Sequence, residues 1–247
     1  MTPVDLVCLP FAGAHMDPFH ALRRECESAV PGLASMTVTY PGHGGRVHGA
    51  LAPTILEMAH DALGEIDEHR ARRGSGHRET VLLGYSMGGY VAYELAHLLA
   101  DRGEPPVRLL AMAATPPAHL DGTDLDLGTD DELLEHCAQY GLVSPGSFPE
   151  GTMRRLFLPA LRNDILAVDR YPTARGRRPL PAATELVVFT GAHDATVAHQ
   201  DRWADLTAAP PRTHVYDGGH FFVTECRDAL VRDVVAHLGT HRERTAA

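Results

Sequence analysis

The sequence has little of what marks a metal, redox or membrane protein. Only four cysteines occur in 247 residues, Cys8, Cys26, Cys137 and Cys226, and no two are closely spaced. That excludes a CxxC redox motif and a thiolate zinc site. The N-terminus lacks a basic segment followed by an apolar run, and no apolar stretch is long enough to span a bilayer. The expectation is a soluble, cytoplasmic chain with reduced thiols. Positive charge is also scarce: 22 Lys and Arg stand against 32 Asp and Glu, a net charge of −10, which argues against direct nucleic-acid binding. Arg70, Arg72, Arg73 and Arg78 form a local basic cluster that reads as a solvated loop. Sixteen histidines are present, but no HExxH or similar helical pair. His193, His199, His214 and His220 fall on what read as different loops and strands, so no metal or other cofactor is expected.

What is present is enough apolar sequence, 44%, to bury a sizeable core in one domain with a modest insertion. Short apolar runs predict strands at Val4–Leu9, Met36–Tyr40, Thr80–Leu83, Val107–Ala113, Glu185–Phe189 and Thr213–Tyr216. Helical patterns lie near Ile55–His69, Gly88–Asp101, Ala198–Leu206 and Thr224–Leu238. Buried strands alternating with helices predict an α/β fold, a mostly parallel sheet with helices on both faces. From Pro116 to Pro172 no strand is evident. There Thr129, with Glu132 three residues on, caps a helix running through Tyr140. A second helix is expected over Thr152–Val168, kinked or split by Pro159. The expected division is a core of residues 1–115 and 173–247 and a helical insertion of residues 116–172. Insertions at the carboxyl ends of such strands often cover a site.

The sharpest local signal is Gly84-Tyr85-Ser86-Met87-Gly88, set between an apolar strand and a helix-forming run. This is the context of a GxSxG nucleophile elbow, a strained strand-to-helix turn that exposes a serine hydroxyl. Serine needs a base, and the base an orienting acid, in the chain order Ser, Asp, His. Asp194 follows the fifth strand in Gly191-Ala-His-Asp. His220 follows the sixth in Gly218-Gly-His. Asp217 competes for the acid role, though its Asp-Gly-Gly setting favours a turn. His193 competes for the base role. The oxyanion of acyl transfer needs donors, for which the candidates are the main-chain N–H of Met87 and that of Ala12 in Pro10-Phe-Ala-Gly.

Six segments together resemble one family, the type II thioesterases of polyketide and nonribosomal peptide synthesis, within the α/β-hydrolase superfamily. They are Leu6-Val-Cys-Leu-Pro-Phe-Ala-Gly13, Tyr40-Pro-Gly-His-Gly-Gly-Arg46, Gly84-Tyr-Ser-Met-Gly-Gly89, Leu158-Pro-Ala-Leu-Arg-Asn-Asp164, Gly191-Ala-His-Asp194 and Gly218-Gly-His-Phe-Phe222, spread over nearly the whole chain in the family's order. The resemblance implies a helical lid and a Ser86–Asp194–His220 triad with Ala12 and Met87 as oxyanion donors. It further implies acyl groups on the phosphopantetheine arm of an acyl or peptidyl carrier protein as substrate. The chain departs from the family pattern at Tyr85, where the family has histidine, at Ala14-His15, where it has a second glycine, and at Asn163, where it has alanine. A small-molecule carboxylesterase or lipase, a macrocyclising thioesterase and a non-catalytic binding protein on the same fold remain the alternatives.

Overall fold

Along each central strand the side chains alternate between two apolar sets, and this period of two builds two cores. Val7, Leu9, Leu82, Leu109, Ala111, Leu186 and Val188 join one buried cluster. Leu6, Cys8, Val81, Leu83, Tyr85, Leu110, Met112, Val187 and Phe189 join the other. A sheet apolar on both faces must be covered on both faces, which is the situation of parallel strands linked by helices.

The computed structural model describes residues 3–73, 78–139, 141–143, 148, 151–174 and 178–239. In chain order the elements are β1 (Val4–Leu9), α1 (His20–Ala29), β2 (Ala34–Thr37), α2 (Ile55–Arg73), β3 (Glu79–Tyr85), α3 (Met87–Asp101) and β4 (Arg108–Met112). There follow α4 (Asp130–Gln139), α5 (Thr152–Ala174), β5 (Glu185–Gly191), β6 (Arg212–Tyr216), α6 (Phe222–Glu225) and α7 (Arg227–Gly239). The six strands pair in the order β2-β1-β3-β4-β5-β6, all parallel. Strand order reverses between β1 and β3, and loops at the carboxyl ends of strands flanking such a switch point form the crevice where α/β sheets bind ligands. Register brings Leu9 beside Gly84, Tyr85 beside Met112 and Gly191 beside Tyr216, so these loops leave the sheet together.

The expected α/β-hydrolase arrangement is present, with α2 and α3 on one core and α1, α6 and α7 on the other. Several elements differ from expectation. Helix α1 is additional; only Leu22 and Cys26 are buried along it, too few for a clear helical stripe. β2 lies earlier than Met36–Tyr40. The Val38 N–H still reaches the Cys8 carbonyl, but the Thr39 N–H turns to the Glu65 carboxylate, which ends the ladder. Residues Gln200–Leu206 form a 3-10 turn rather than an α-helix, entered through His199 in a left-handed conformation. The C-terminal helix is broken at Cys226 into α6 and α7.

The stretch between β4 and β5 is helical, as expected. Thr129 and Glu132 form the reciprocal cap of α4: the Glu132 N–H donates to Thr129 Oγ1 (3.2 Å) and the Thr129 N–H to Glu132 Oε2 (2.7 Å). Its expected end at Tyr140 lies outside the described residues. Helix α5 runs without a split through Pro159. An interior proline costs a helix about 3 kcal/mol, and here Leu158, Ala160 and Leu161 bury apolar surface on both sides of it. Leu127, Leu133, Cys137, Leu158, Leu161 and Ile165 give the insertion a small core of its own. Of the basic cluster, Arg70, Arg72 and Arg73 lie on the last turn of α2 rather than in a loop; Arg70 pairs with Glu104 and Asp5, Arg72 with Glu68, and Arg78 with Asp5. All four cysteines are unpaired thiols. Among the described residues no helix is long and apolar enough to cross a membrane.

Candidate active site

Ser86 sits between β3 and α3 at φ 53°, ψ −119°, a conformation L-residues rarely adopt. The turn is over-determined by its surroundings. The Ser86 N–H donates to the Met112 carbonyl (2.8 Å) and the Gly89 N–H to the Ser86 carbonyl (2.8 Å). A Cβ at Gly88 would lie 2.0 Å from the Leu9 carbonyl oxygen, and one at Gly84 2.3 Å from the Gly88 oxygen. Only glycine lets β1, β3 and α3 approach this closely.

The loops after β5 and β6 deliver the other expected residues. They are tied to each other by the Ala192 N–H on the Tyr216 carbonyl (2.8 Å) and the His193 N–H on the Gly218 carbonyl (3.0 Å). His220 Nε2 lies 3.1 Å from Ser86 Oγ, and His220 Nδ1 lies 2.8 Å from Asp194 Oδ2. Asp194 and His220 are both buried. The two competitors stand apart from this chain of contacts: His193 Nε2 faces Asp217 Oδ1 at 3.0 Å, and both are exposed.

Two neighbours were not foreseen. Thr196 donates its main-chain N–H (2.9 Å) and its hydroxyl (2.6 Å) to Asp194 Oδ1, and the same hydroxyl lies 2.7 Å from His220 Nδ1. Burial pushes the Asp194 carboxyl up, but the hydrogen bonds from His220 and Thr196 outweigh it and hold the group below the usual carboxylate range. An Asp followed two residues on by Thr is a recognisable side-chain turn, so this contact had a local signal. The second is a buried pair under the loop after β1. Asp164 on α5 accepts from the Gly13 N–H (2.8 Å) and faces His43 Nε2 (2.9 Å). Burial pushes the His43 imidazole down, but its hydrogen bond to Asp164 and the Asp164 charge raise it above its ordinary value.

Above Ser86 a cavity of about 250 Å³ opens between the sheet end and the insertion. Ser86, Met87, Ala12 and His220 line its floor; Tyr90, Leu125, Leu142, Ile165 and Val168 line its walls. Met87 is the first residue of α3, where N–H groups have no partner within the helix. Both expected donor residues thus border the same space as the serine hydroxyl.

A family model described as "Thioesterase domain" matches residues 4–238. The chain belongs to the thioesterase domain family. It is 30% identical over 99% of its length to the "Probable cadicidin biosynthesis thioesterase" of Streptomyces griseus, and spans 65% of that relative's length. Among solved structures, this thioesterase chain is similar to RedJ, the thioesterase of the prodiginine biosynthetic pathway in Streptomyces coelicolor. That match is 28% identical with a TM-score of 0.79, covering 95% of this chain and 90% of the other. It is also similar to BorB, a type II thioesterase from the borrelidin biosynthetic cluster, 26% identical with a TM-score of 0.77, covering 96% and 93%. The resemblance to type II thioesterases read from the six segments therefore extends to the whole fold.

Proposed function

We propose that this thioesterase hydrolyses acyl groups from the phosphopantetheine arm of carrier proteins in polyketide or nonribosomal peptide synthesis, through an acyl-enzyme on Ser86. The observation that supports this reading most is the unbroken line of contacts from Asp194 to His220 to Ser86 at the floor of an apolar cavity. His220 Nε2 takes the Ser86 proton as Oγ attacks the thioester carbonyl. Asp194 holds the proton on Nδ1 and stabilises the imidazolium that forms. The N–H groups of Ala12 and Met87 receive the oxyanion. The carrier thiol, with a pKa of about 8.5, leaves readily and takes the proton from His220 Nε2, which restores the neutral imidazole. Water then attacks the acyl-enzyme with His220 again as base, and the free acid departs. Helices α4 and α5 act as the lid: Ile165 and Val168 of α5 and His136 of α4 line the cavity, with Leu125 and Leu142 on the segments flanking α4. The relatives' biosynthetic roles support the substrate class.

The test pairs hydrolysis of an acyl-carrier protein with that of the matched oxygen ester, in the wild-type chain and in Ser86→Ala. The expected result is faster release from the carrier, labelling of wild type by a fluorophosphonate, and loss of both in the folded variant. Equal rates in the variant refute the nucleophile; preference for the oxygen ester refutes the substrate class.

A further inference from the structure

The loop after β1 is a tight turn. The Ala14 N–H returns to the Phe11 carbonyl (3.3 Å), and Gly13 occupies the third position at φ 75°, as a type II turn requires. In such a turn the central peptide, here Ala12–Gly13, points its N–H away from the turn's own hydrogen bond. That outward N–H is half-buried and open to an acceptor outside the turn. Asp164 supplies it from another element, 151 residues away, at 2.8 Å. Helix α5 presses on the same place: a Cβ at Gly13 would lie 2.7 Å from Leu161 Cδ1.

The carboxylate is itself held. Asp164 is fully buried, and Oδ2 faces His43 Nε2 at 2.9 Å. His43 Nδ1 lies 3.2 Å from the Pro41 carbonyl, which can only accept. Both imidazole nitrogens thus face oxygens, and the ring is held between the Pro41 carbonyl and the Asp164 carboxyl. Asn163 beside it donates to the Ala52 carbonyl (2.8 Å) and so fixes this face of α5 to the core.

We propose that Asp164 is a positioning residue: from the insertion helix it grips the Gly13 N–H and so fixes the turn that aims the Ala12 N–H at the oxyanion. The proposal rests on the oxyanion role given to Ala12 above. Its consequence is that α5 does more than wall the cavity. With α5 docked, the peptide next to the donor is locked; with α5 displaced, the Ala12–Gly13 peptide loses its acceptor and is free to rotate. Donors act on the transition state only if they are already oriented, so docking of the insertion and competence of the oxyanion site are linked through one carboxylate.

Removing half of a buried ion pair is strongly destabilising, so the decisive change leaves Asp164 and His43 in place. Residues 1–25, carrying glycolic acid in place of Gly13, are ligated to a fragment beginning at Cys26. The full-length product carries an ester oxygen in place of the Gly13 N–H, so the bond to Asp164 is lost and every side chain is kept. It is compared with wild type and Asp164→Asn by kcat and KM on a hexanoyl N-acetylcysteamine thioester, by the rate constant of Ser86 labelling with a fluorophosphonate, and by thermal unfolding. The ester chain is expected to fold, to keep KM, and to lose roughly tenfold or more in kcat and labelling rate, a share of the about 10²–10³-fold that follows loss of an oxyanion donor. Asp164→Asn keeps an acceptor oxygen for the Gly13 N–H, so it loses stability but keeps most of the wild-type kcat and labelling rate. An ester chain with unchanged kcat and labelling, or with only KM altered, overturns the proposal. A wild-type chain that is labelled but does not cleave the thioester sinks the thioesterase reading alone, and the labelling rates then decide the positioning role. A wild-type chain inert in both assays overturns both.

Discussion

The Tyr85 hydroxyl donates to the main-chain carbonyl of His220, so the residue before the candidate nucleophile holds the backbone of the candidate base. Tyr85 is fully buried, its ring packed edge-on to His220 and stacked on Phe221. Burial raises the phenol well above its ordinary range, so it stays a donor. Tyr85→Phe keeps the packing and deletes the bond, leaving a buried carbonyl unpaired. Such a loss costs about 1–3 kcal/mol of stability. The expected outcome is a lower unfolding temperature with a several-fold fall in kcat, read by calorimetry and thioester hydrolysis. If activity is untouched while stability falls, the bond serves folding alone.

Thr196 supports the candidate acid, Asp194, in a way that predicts a separate defect. Its hydroxyl and N–H both donate to Asp194 Oδ1, leaving Oδ2 for His220. Thr196→Val removes the hydroxyl donor while conserving shape. Asp194 then loses one of the bonds that keep its carboxyl low. A group with a depressed folded pKa contributes stability that is present above its unfolded value, about 3.9, and lost as pH falls through the folded value. The variant should therefore lose this acid-side contribution at higher pH than wild type, together with about 1 kcal/mol of stability at neutral pH. Unfolding curves from pH 3 to 7 for the two proteins decide the point; superimposable curves exclude it.

The strands and the Ser86, Asp194 and His220 loops were legible because their signals are local. The runs before these three loops reach Gly84, Gly191 and Gly218, and a Cβ at Gly84 or Gly191 would strike the backbone of a neighbouring segment. What was illegible depends on contacts between distant positions. Asp164 stood inside a segment singled out for its resemblance, yet nothing near it in sequence reveals that it reaches Gly13 and His43. Helix α1 was missed because it buries so few residues, and α5 survives Pro159 because Leu158, Ala160 and Leu161 are buried around it, which periodicity alone does not weigh.

At the far edge of the sheet His214 and His237 meet with their Nε2 atoms 2.8 Å apart. One nitrogen must accept for this contact to hold. Burial, with help from the charge on His214, lowers His237 to about 4. Between its unfolded value of about 6.5 and about 4 the unfolded chain binds a proton that the folded chain does not, so stability falls as pH falls through this window. His237→Leu removes the group and should flatten the decline in unfolding temperature from pH 6.5 to 4, the window set by that shift. An undiminished slope assigns the acid sensitivity to other groups.

The cavity above Ser86 makes the last prediction quantitative. Its volume of about 250 Å³ is below the roughly 300–1,000 Å³ usual for ligand pockets, which under the proposed function favours short acyl groups. Ile165 and Val168 of α5 line it, as does Tyr90 of α3. Truncating Ile165 to alanine opens space along the acyl path. Each methylene newly buried is worth about 0.8 kcal/mol, close to fourfold in binding. Expressed in the transition state, that gain appears in kcat/KM. In Ile165→Ala the ratio of kcat/KM for a longer to a shorter acyl N-acetylcysteamine thioester should rise by about fourfold for each extra methylene accommodated. The cost in stability should be near the lower end of about 2–5 kcal/mol, since Ile165 lies at the cavity surface rather than deep in the sheet core. A chain-length profile identical to wild type means that the acyl group does not run beneath α5, and the lid role of the insertion falls with it.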